Sequence, residues 1–400
     1  MEQSYKYVVI GAGLAGASAV EGIRELDAEG STLLIGAEKH LPYHRPPLSK
    51  KLWQGKKKVE DIFIHDAPYY AAMGVDVVLD TPAVTLDAAS KTVALADGGV
   101  CGFEKLLLAT GGSPAALDIP GGDADGVSYF RYLDDYTAAS ADVAYANSAL
   151  VIGGGFIGSE MAAALHINKV NVAMLFRDPY IGSRLFPREL GLSIQRDYES
   201  RGITVLSEDS PAAIERTDDG FVTHTISGKR IESELLIVGV GLKPSVELAE
   251  GAGLAVENGI VVNEMLQTSH PDIYAAGDNA NFPHAGLGKR SRVEHWDNAL
   301  NQGKLAGRNM AGAGETYDYI PYFFSDLFDF GYEAVGEVDS SLETFEDWQK
   351  PNETGVVYYL REGRVRGVMM CNVWDRVDAA RELISGVAAV RPEELEGRIA

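Results

Sequence analysis

The sequence predicts an α/β protein with two dinucleotide-type folds and a C-terminal α+β domain. Three observations predict it. Two glycine turns each lie between a β-rich run and a helix pattern. The second turn begins 142 positions after the first, and no shorter repeat is present. Beyond Tyr319 the composition becomes aromatic, and short strand patterns alternate with turns.

Residues 5–10 (YKYVVI) form the first strand pattern and enter Gly11-Ala12-Gly13-Leu14-Ala15-Gly16. A helix pattern follows over 17–26, and 31–35 (STLLI) reads as the next strand. Residues 83–97 alternate in strand fashion, and 105–109 (KLLLA) read as a buried strand ending at Thr110-Gly111-Gly112. The same grammar returns at 149–152, which lead into Gly153-Gly154-Gly155-Phe156-Ile157-Gly158. A helix pattern at 159–165 and a strand at 170–176 (VNVAMLF) complete the second βαβ unit. Residues 234–240 form another buried strand before Gly241, and 273–276 lead into Gly277-Asp278. The aromatic stripe at 322–330 reads as core, 355–360 and 365–370 read as strands, and the polar stretch 341–354, with Pro351, reads as a surface loop.

One glycine turn alone is a weak signal, because many loops match it. Two in the same strand–helix setting predict two Rossmann-like dinucleotide-binding domains. In such a turn the first glycine permits the tight bend, the second lets backbone approach a pyrophosphate, and the third lets helix meet strand. The helix N-terminus adds free N–H groups and partial positive charge. Each fold calls for a carboxylate after its second strand to accept from ribose hydroxyls. Glu38 is the first candidate. Asp178, beside Arg177, is the second, and each is equally readable as a solvated loop charge. FAD with NAD(P)H is the natural pair for two such sites, since a flavin accepts a hydride and releases electrons one or two at a time. Asp178 favours NADH by accepting from the 2′-hydroxyl, whereas Arg177 could instead hold the 2′-phosphate of NADPH.

The net charge of −23 excludes nucleic acid and anionic membranes as partners. It would also repel an acidic electron-transfer protein unless a local basic patch exists. Lys50–Lys51 with Lys56–Lys58, and Lys289-Arg290 with Arg292, are the candidates, with ordinary solvated lysines as the alternative. Cys101 and Cys371 form no redox pair or disulfide framework. His44, His166 and His270 lack metal-ligand spacing, so no metal is expected. No apolar run approaches the ~20 residues of a membrane span, and no signal sequence is evident, so a cytoplasmic protein is expected.

Residues 41–50 (LPYHRPPLSK), 109–112 (ATGG), 275–278 (AAGD) and 292–299 (RVEHWDNA) resemble segments of ferredoxin-reductase-like flavoproteins and apoptosis-inducing factor. Residues 323–327 (FFSDL), 331–336 (GYEAVG) and 355–361 (GVVYYLR) are similar to apoptosis-inducing factor rather than to the disulfide reductases. The resemblance covers nearly the whole chain and implies a prokaryotic-type, glutathione-reductase-like fold. Its implied FAD domain is 1–120 with 245–315, its NAD(P)H domain 121–244 and its C-terminal domain 316–400.

By position, the resemblance implies that Gly11, Gly13, Ala15 and Gly16 hold the FAD pyrophosphate. Glu38, or the adjoining position Ala37, takes the adenosine ribose. Arg45, Lys50, Thr110, Gly111 and Trp296 lie on the flavin side, and Asp278 binds the ribityl chain. Gly153, Gly155, Phe156, Ile157, Gly158, Arg177, Asp178 and Gly241 serve NAD(P)H. Glu160 pairs with Lys50 near the flavin N5, while Glu294, His295 and the Phe324 ring line the nicotinamide pocket. Lys50, Glu160 and His295 are thereby the implied catalytic residues. The family often has Trp where Phe324 stands. The 341–354 segment lacks the insertion of apoptosis-inducing factor, and that protein's basic surface and targeting sequence are missing.

The chemistry requires nicotinamide C4 about 3–3.5 Å from flavin N5. Charge developing at the flavin N1–C2=O calls for a helix N-terminus, and residues 294–298 are the candidate, with plain helix capping as the alternative. Three functions remain open at this point. One is an oxidoreductase feeding a ferredoxin- or rubredoxin-type protein, as an EC 1.18.1 reductase does. Another reduces small acceptors such as quinones. The third is a redox-gated protein in which a charge-transfer complex with NADH controls dimerisation. A monomer or homodimer fits each.

Overall fold

Val8, Val9 and Ile10, Leu33 to Ile35, and Leu106 to Leu108 are three apolar runs, each buried to 4% exposure or less. Continuous apolar runs of this kind suit parallel strands covered on both faces. In the computed structural model, which describes residues 3–386 and 388–399, they lie side by side. The chain forms two compact units. One holds the residues up to His44, Val59–Ser113 and Lys243–Pro321. The other holds Arg45–Lys58, Pro114–Leu242 and the chain from Tyr322 onward.

In the first unit the sheet runs Val75–Val78, Thr32–Ile35, Gln3–Ile10, Val100–Leu108, all parallel. The strand Val100–Leu108 forks. Its start pairs antiparallel with Thr92–Leu95, which is hairpinned to Ala83–Asp87, and its end pairs parallel with Ile273–Ala275. The alternating stretch at 83–97 is thus two strands and a turn. Helix Leu14–Leu26 follows the first glycine turn and packs against helix Trp296–Met310. Glycine makes that approach achievable. A Cβ at Gly303 would stand 2.2 Å from the Ala15 carbonyl oxygen, one at Gly307 2.1 Å from that of Ala19, and one at Gly22 2.1 Å from that of Lys304.

In the second unit a parallel sheet runs Thr204–Leu206, Asn171–Leu175, Ser148–Ile152, Leu235–Val238, Ser128–Tyr129. Helix Phe156–Ile167 follows the second glycine turn. Its face is nearly all apolar, with Met161 to Leu165 buried. The C-terminal part is a five-stranded antiparallel sheet in the order Tyr322–Leu327, Phe330–Gly336, Arg364–Cys371, Thr354–Arg361, Glu343–Lys350. Helix Val377–Ser385 packs on it.

One expectation is corrected here. The stretch 341–354 is not a loop, because Glu343–Lys350 is the edge strand of this sheet. Its polarity belongs to a half-solvated edge, where one ladder faces water and charged side chains discourage further pairing. Pro351 lies just past the strand, where no ladder hydrogen bond is needed.

Candidate functional site

The two glycine turns share one geometry. Gly11 has φ +116° and Gly153 has φ +125°, a left-handed conformation that side chains resist. A Cβ at Gly11 would stand 2.1 Å from the Ala109 carbonyl oxygen, and one at Gly153 2.3 Å from that of Gly239. The third glycines are equally crowded. A Cβ at Gly16 would meet Gly11 O at 2.0 Å, and one at Gly158 would meet Gly153 O at 2.0 Å. The middle glycines differ: around Gly13 and Gly155 no atom lies within 4 Å of a built Cβ. Those two positions are therefore not required by packing. They leave open ground at helix starts whose N-cap residues, Gly13 and Gly155, supply no side-chain cap.

Around the first turn, Glu38 is half-buried and accepts from the Tyr43 hydroxyl at 2.5 Å, while Ala37 is exposed. Ala15 is buried beneath Gly303. Thr110 donates to the Ser245 carbonyl at 2.7 Å and accepts from Asn279 Nδ2 at 2.8 Å, and Gly111 adopts φ +63°. Asp278 is half-buried, and its backbone carbonyl accepts from Arg292. Gln302 Oε1 accepts from Gly277 N at 2.9 Å. Asn279 and Gln302 are both fully buried, yet Asn279 Oδ1 and Gln302 Nε2 have no protein partner. Orphaned buried polar atoms beside an open glycine turn fit a polar group that the protein itself does not supply. Neither residue stood out in the sequence, since a lone amide carries no pattern.

In the same unit, His295 is the N-cap residue of helix Trp296–Met310 and contributes no side-chain cap. Burial pulls its imidazole down to about 4, against an opposing pull from the Asp278 carboxylate, so the ring is neutral at physiological pH. Trp296 Nε1 donates to His44 Nδ1 at 3.0 Å, which accounts for His44 as a structural histidine. Glu294 is exposed and paired with Arg292 at 2.6 Å.

In the second unit, Phe156 meets Phe323 edge to face with ring centroids 5.4 Å apart. The Ile157 side chain lies against Gly239. Arg177 is exposed and Asp178 half-buried just past strand Asn171–Leu175. Gly241, at φ +122°, has open space on its side-chain face. Arg45 donates to the Arg131 carbonyl at 3.0 Å and lies over the Tyr132 ring.

This unit brings Lys50 and Glu160 together. Lys50 Nζ lies 3.0 Å from Glu160 Oε1, with both side chains at most 7% exposed. Lys50 also donates to the Phe324 carbonyl at 3.3 Å, and its Nζ sits 4.6 Å from the centre of the Phe324 ring. Two serines complete the carboxylate's shell: Ser49 Oγ donates to Oε2 at 2.5 Å and Ser325 Oγ to Oε1 at 2.6 Å. Burial, aided by the Glu160 charge, pushes the Tyr198 and Tyr332 phenols well up. The serines escaped the sequence reading, although each adjoins a residue it singled out.

Both expected basic patches are revised. Lys50 is buried in an ion pair and is no part of a solvated patch. Arg290 donates to the Val262 and Asn281 carbonyls, and Arg292 is spent on Glu294. The turn at Lys51, Lys56 and Lys57 persists, because Lys56 N and Lys57 N both bond to Lys51 O, at 3.0 and 3.3 Å. Among the described residues no cluster of metal-ligating side chains occurs, and no helix is long and apolar enough to cross a membrane. Cys101 and Cys371 are free and buried.

The family profile described as pyridine nucleotide-disulphide oxidoreductase matches residues 5–303, and that of the apoptosis-inducing factor, mitochondrion-associated, C-terminal domain matches 306–354. The chain is 32% identical to apoptosis-inducing factor 1, mitochondrial, of Dictyostelium discoideum, over 96% of this chain and 78% of that one. It is 31% identical to the anthranilate 1,2-dioxygenase system ferredoxin–NAD(+) reductase component of Burkholderia cepacia, over 97% and 96% of the two chains. Among solved structures, the putidaredoxin reductase–putidaredoxin complex gives a TM-score of 0.92 at 29% identity, covering 98% of this chain and 95% of that one. A ferredoxin reductase from Rhodopseudomonas palustris gives 0.91 at 28% identity, covering 97% and 96%. The pyridine nucleotide-disulphide oxidoreductase family uses FAD and NAD(P)H, and the two open glycine turns fit two such dinucleotides. The chain is an FAD-dependent NAD(P)H oxidoreductase and belongs to the pyridine nucleotide-disulphide oxidoreductase family.

Proposed function

We propose that this chain takes reducing equivalents from NADH and delivers them to an acidic ferredoxin-type iron–sulfur protein. One observation carries the choice of acceptor. On a chain of net charge −23, Lys51, Lys56 and Lys57 gather in one turn and form no ion pair among the described residues. Elsewhere Lys6, Lys91, Lys105, Lys229, Lys304 and Lys350 are each matched by a carboxylate, and Lys169 and Lys243, which form no ion pair among the described residues, stand singly in the sequence and not in a cluster. A local cationic turn lets an acidic partner approach a surface that otherwise repels it. Full-length likeness to reductases named for ferredoxin and putidaredoxin supports the same reading.

When bound, FAD accepts a hydride from the nicotinamide and releases the electrons one at a time. In this reading Gly13 and Gly155 give the two pyrophosphates room, and Glu38 and Asp178 accept from ribose hydroxyls. Asp278, with Asn279 and Gln302 behind it, serves the FAD side. Lys50, held by Glu160 and Phe324, supplies a fixed cation beside the flavin. Neutral His295 and Glu294 lie on the nicotinamide side, and the uncapped helix start at His295 faces charge that develops on reduction. Residues 1–120 with 245–315 hold FAD, 121–244 hold NADH, and 316–400 form the C-terminal domain. The protein works in the cytoplasm.

The test is reduction of a [2Fe–2S] ferredoxin by the FAD-loaded protein with NADH. Charge reversal of Lys51, Lys56 and Lys57 together is expected to raise KM for the ferredoxin about tenfold, roughly the loss of 1.4 kcal/mol, while reduction of a neutral dye is unchanged. Failure to reduce any iron–sulfur protein overturns the reading, and an equal or better kcat/KM with NADPH overturns the choice of NADH. The match over 306–354 favours a second reading, a redox-gated flavoprotein. Slow reoxidation in air with a size shift on adding NADH would select it.

A further inference from the structure

Glu160 projects from helix Phe156–Ile167 into a place where three other groups converge on its carboxylate. Lys50 follows directly on the short 3-10 turn Pro46–Ser49, whose last residue is Ser49. Ser325 lies on strand Tyr322–Leu327, opposite Tyr332 in the register of the sheet. Three chain segments, far apart in sequence, thus meet at one carboxylate. Ser49 occupies Oε2, while Ser325 and Lys50 share Oε1. Ser325 is 1% exposed and Ser49 4%, so water does not stand in readily for either.

A carboxylate offers several lone-pair directions, and Lys50 approaches this one at Oε1. Bound by Lys50 alone, Glu160 is free to turn about its terminal torsion, which is broad and nearly two-fold. Hydroxyls on both oxygens remove that freedom. The orientation of Glu160 then sets where Lys50 Nζ stands over the Phe324 ring.

We infer that Ser49 and Ser325 are positioning residues: they clamp the two oxygens of Glu160 and through it hold Lys50 at one point. The inference rests on the reading above, in which Lys50 stands beside the flavin. Both serine hydroxyls are committed to Glu160, so they govern the rate of flavin reduction and leave FAD retention alone. Ser325 carries the larger share because its hydroxyl shares the very oxygen that Lys50 engages.

The experiment compares Ser325→Ala, Ser49→Ala, Ser325→Thr and Glu160→Gln, each as FAD-loaded full-length protein. Stopped-flow absorbance gives the limiting rate of flavin reduction by NADH and the apparent affinity for NADH. Bound FAD per chain and the flavin absorbance envelope are measured in parallel. Loss of a hydrogen bond to a charged group predicts a limiting rate about tenfold lower in Ser325→Ala, with FAD content and NADH affinity at wild-type values. Threonine keeps the hydroxyl and suits a strand, so Ser325→Thr is expected to keep more of the rate than Ser325→Ala, although its extra methyl crowds a site 1% exposed. In the Glu160→Gln background, Ser325→Ala is expected to add little, since residues acting through one group are not additive.

Wild-type rates in both alanine variants overturn the inference. So does an equal loss from Ser325→Ala with and without Glu160→Gln, or a loss in Ser325→Thr as deep as in alanine. If the wild-type protein binds FAD but neither NADH nor NADPH reduces it, the proposed function fails instead.

Discussion

Glu160 and Lys50 are buried charges whose cost is met only by each other and by their hydrogen-bond partners. Replacing Glu160 with alanine leaves Lys50 with the Phe324 carbonyl and ring and no counter-charge. We expect a destabilisation of roughly 3–5 kcal/mol, seen as a lower Tm, and a slower flavin reduction in stopped flow that exceeds any loss of FAD. His295 gives a pH signature. Its ordinary value is 6.5 and its folded value about 4. Above pH 6.5 the ring is neutral folded or unfolded and contributes nothing. Between pH 6.5 and 4 the unfolded chain takes up a proton that the folded ring refuses, so stability falls with falling pH across that window. Substituting Gln for His295 is expected to flatten that part of a denaturant-midpoint profile taken from pH 7 to 4.

What the sequence disclosed at this scale was residues carrying charge or a motif. Lys50 and Glu160 were named, but their meeting at 3.0 Å requires the fold. Ser49, Ser325, Asn279 and Gln302 were invisible, because a serine or an amide gains meaning only from what stands within hydrogen-bond reach.

At the scale of elements, the glycine turns separate two kinds of glycine, and the distinction is measurable. Gly13→Ala places its methyl in open space. We expect wild-type thermal stability in the FAD-free protein together with poor FAD retention. Gly155→Ala is expected to raise KM for NADH and spare FAD content. Gly16→Ala and Gly307→Ala drive a methyl to about 2 Å from a carbonyl oxygen, so both should destabilise the FAD-free protein by about 1–3 kcal/mol, the scale of overpacked cores, seen as a lower Tm. An ordinary Tm for Gly307→Ala would contradict the close helix contact. The strands and helices around the turns were readable because both periodicities are strong there. The edge strand Glu343–Lys350 was not, since half-solvated edges carry the polar residues that otherwise mark loops. The Gly303–Gly307 pair hides inside an ordinary amphipathic helix, where only the facing helix explains it.

Over the whole molecule, charge is unevenly spent. The chain carries a net charge of −23, and the lysine turn at 51–57 concentrates positive charge in one place. The rate of reduction of an acidic acceptor is therefore expected to fall as ionic strength rises past about 0.15 M, where the Debye length is about 8 Å. The rate with a neutral dye should stay level, and parallel salt curves for the two acceptors would refute a role for the turn. Fold class was legible at this scale because two copies of one motif reinforce each other. Shared burial across distant segments was not, because no local pattern reports it.

The forked strand Val100–Leu108 has a consequence for biosynthesis. Its second neighbour, Ile273–Ala275, leaves the ribosome more than 160 residues after it. Until then Leu106 to Leu108, beyond the stretch paired with Thr92–Leu95, remain a bare, apolar parallel edge, the kind of surface that recruits foreign strands. Helix Trp296–Met310, which covers the first helix, emerges later still. Chains arrested between about residue 110 and residue 270 should thus be aggregation-prone chaperone clients, and chains released beyond Met310 should not.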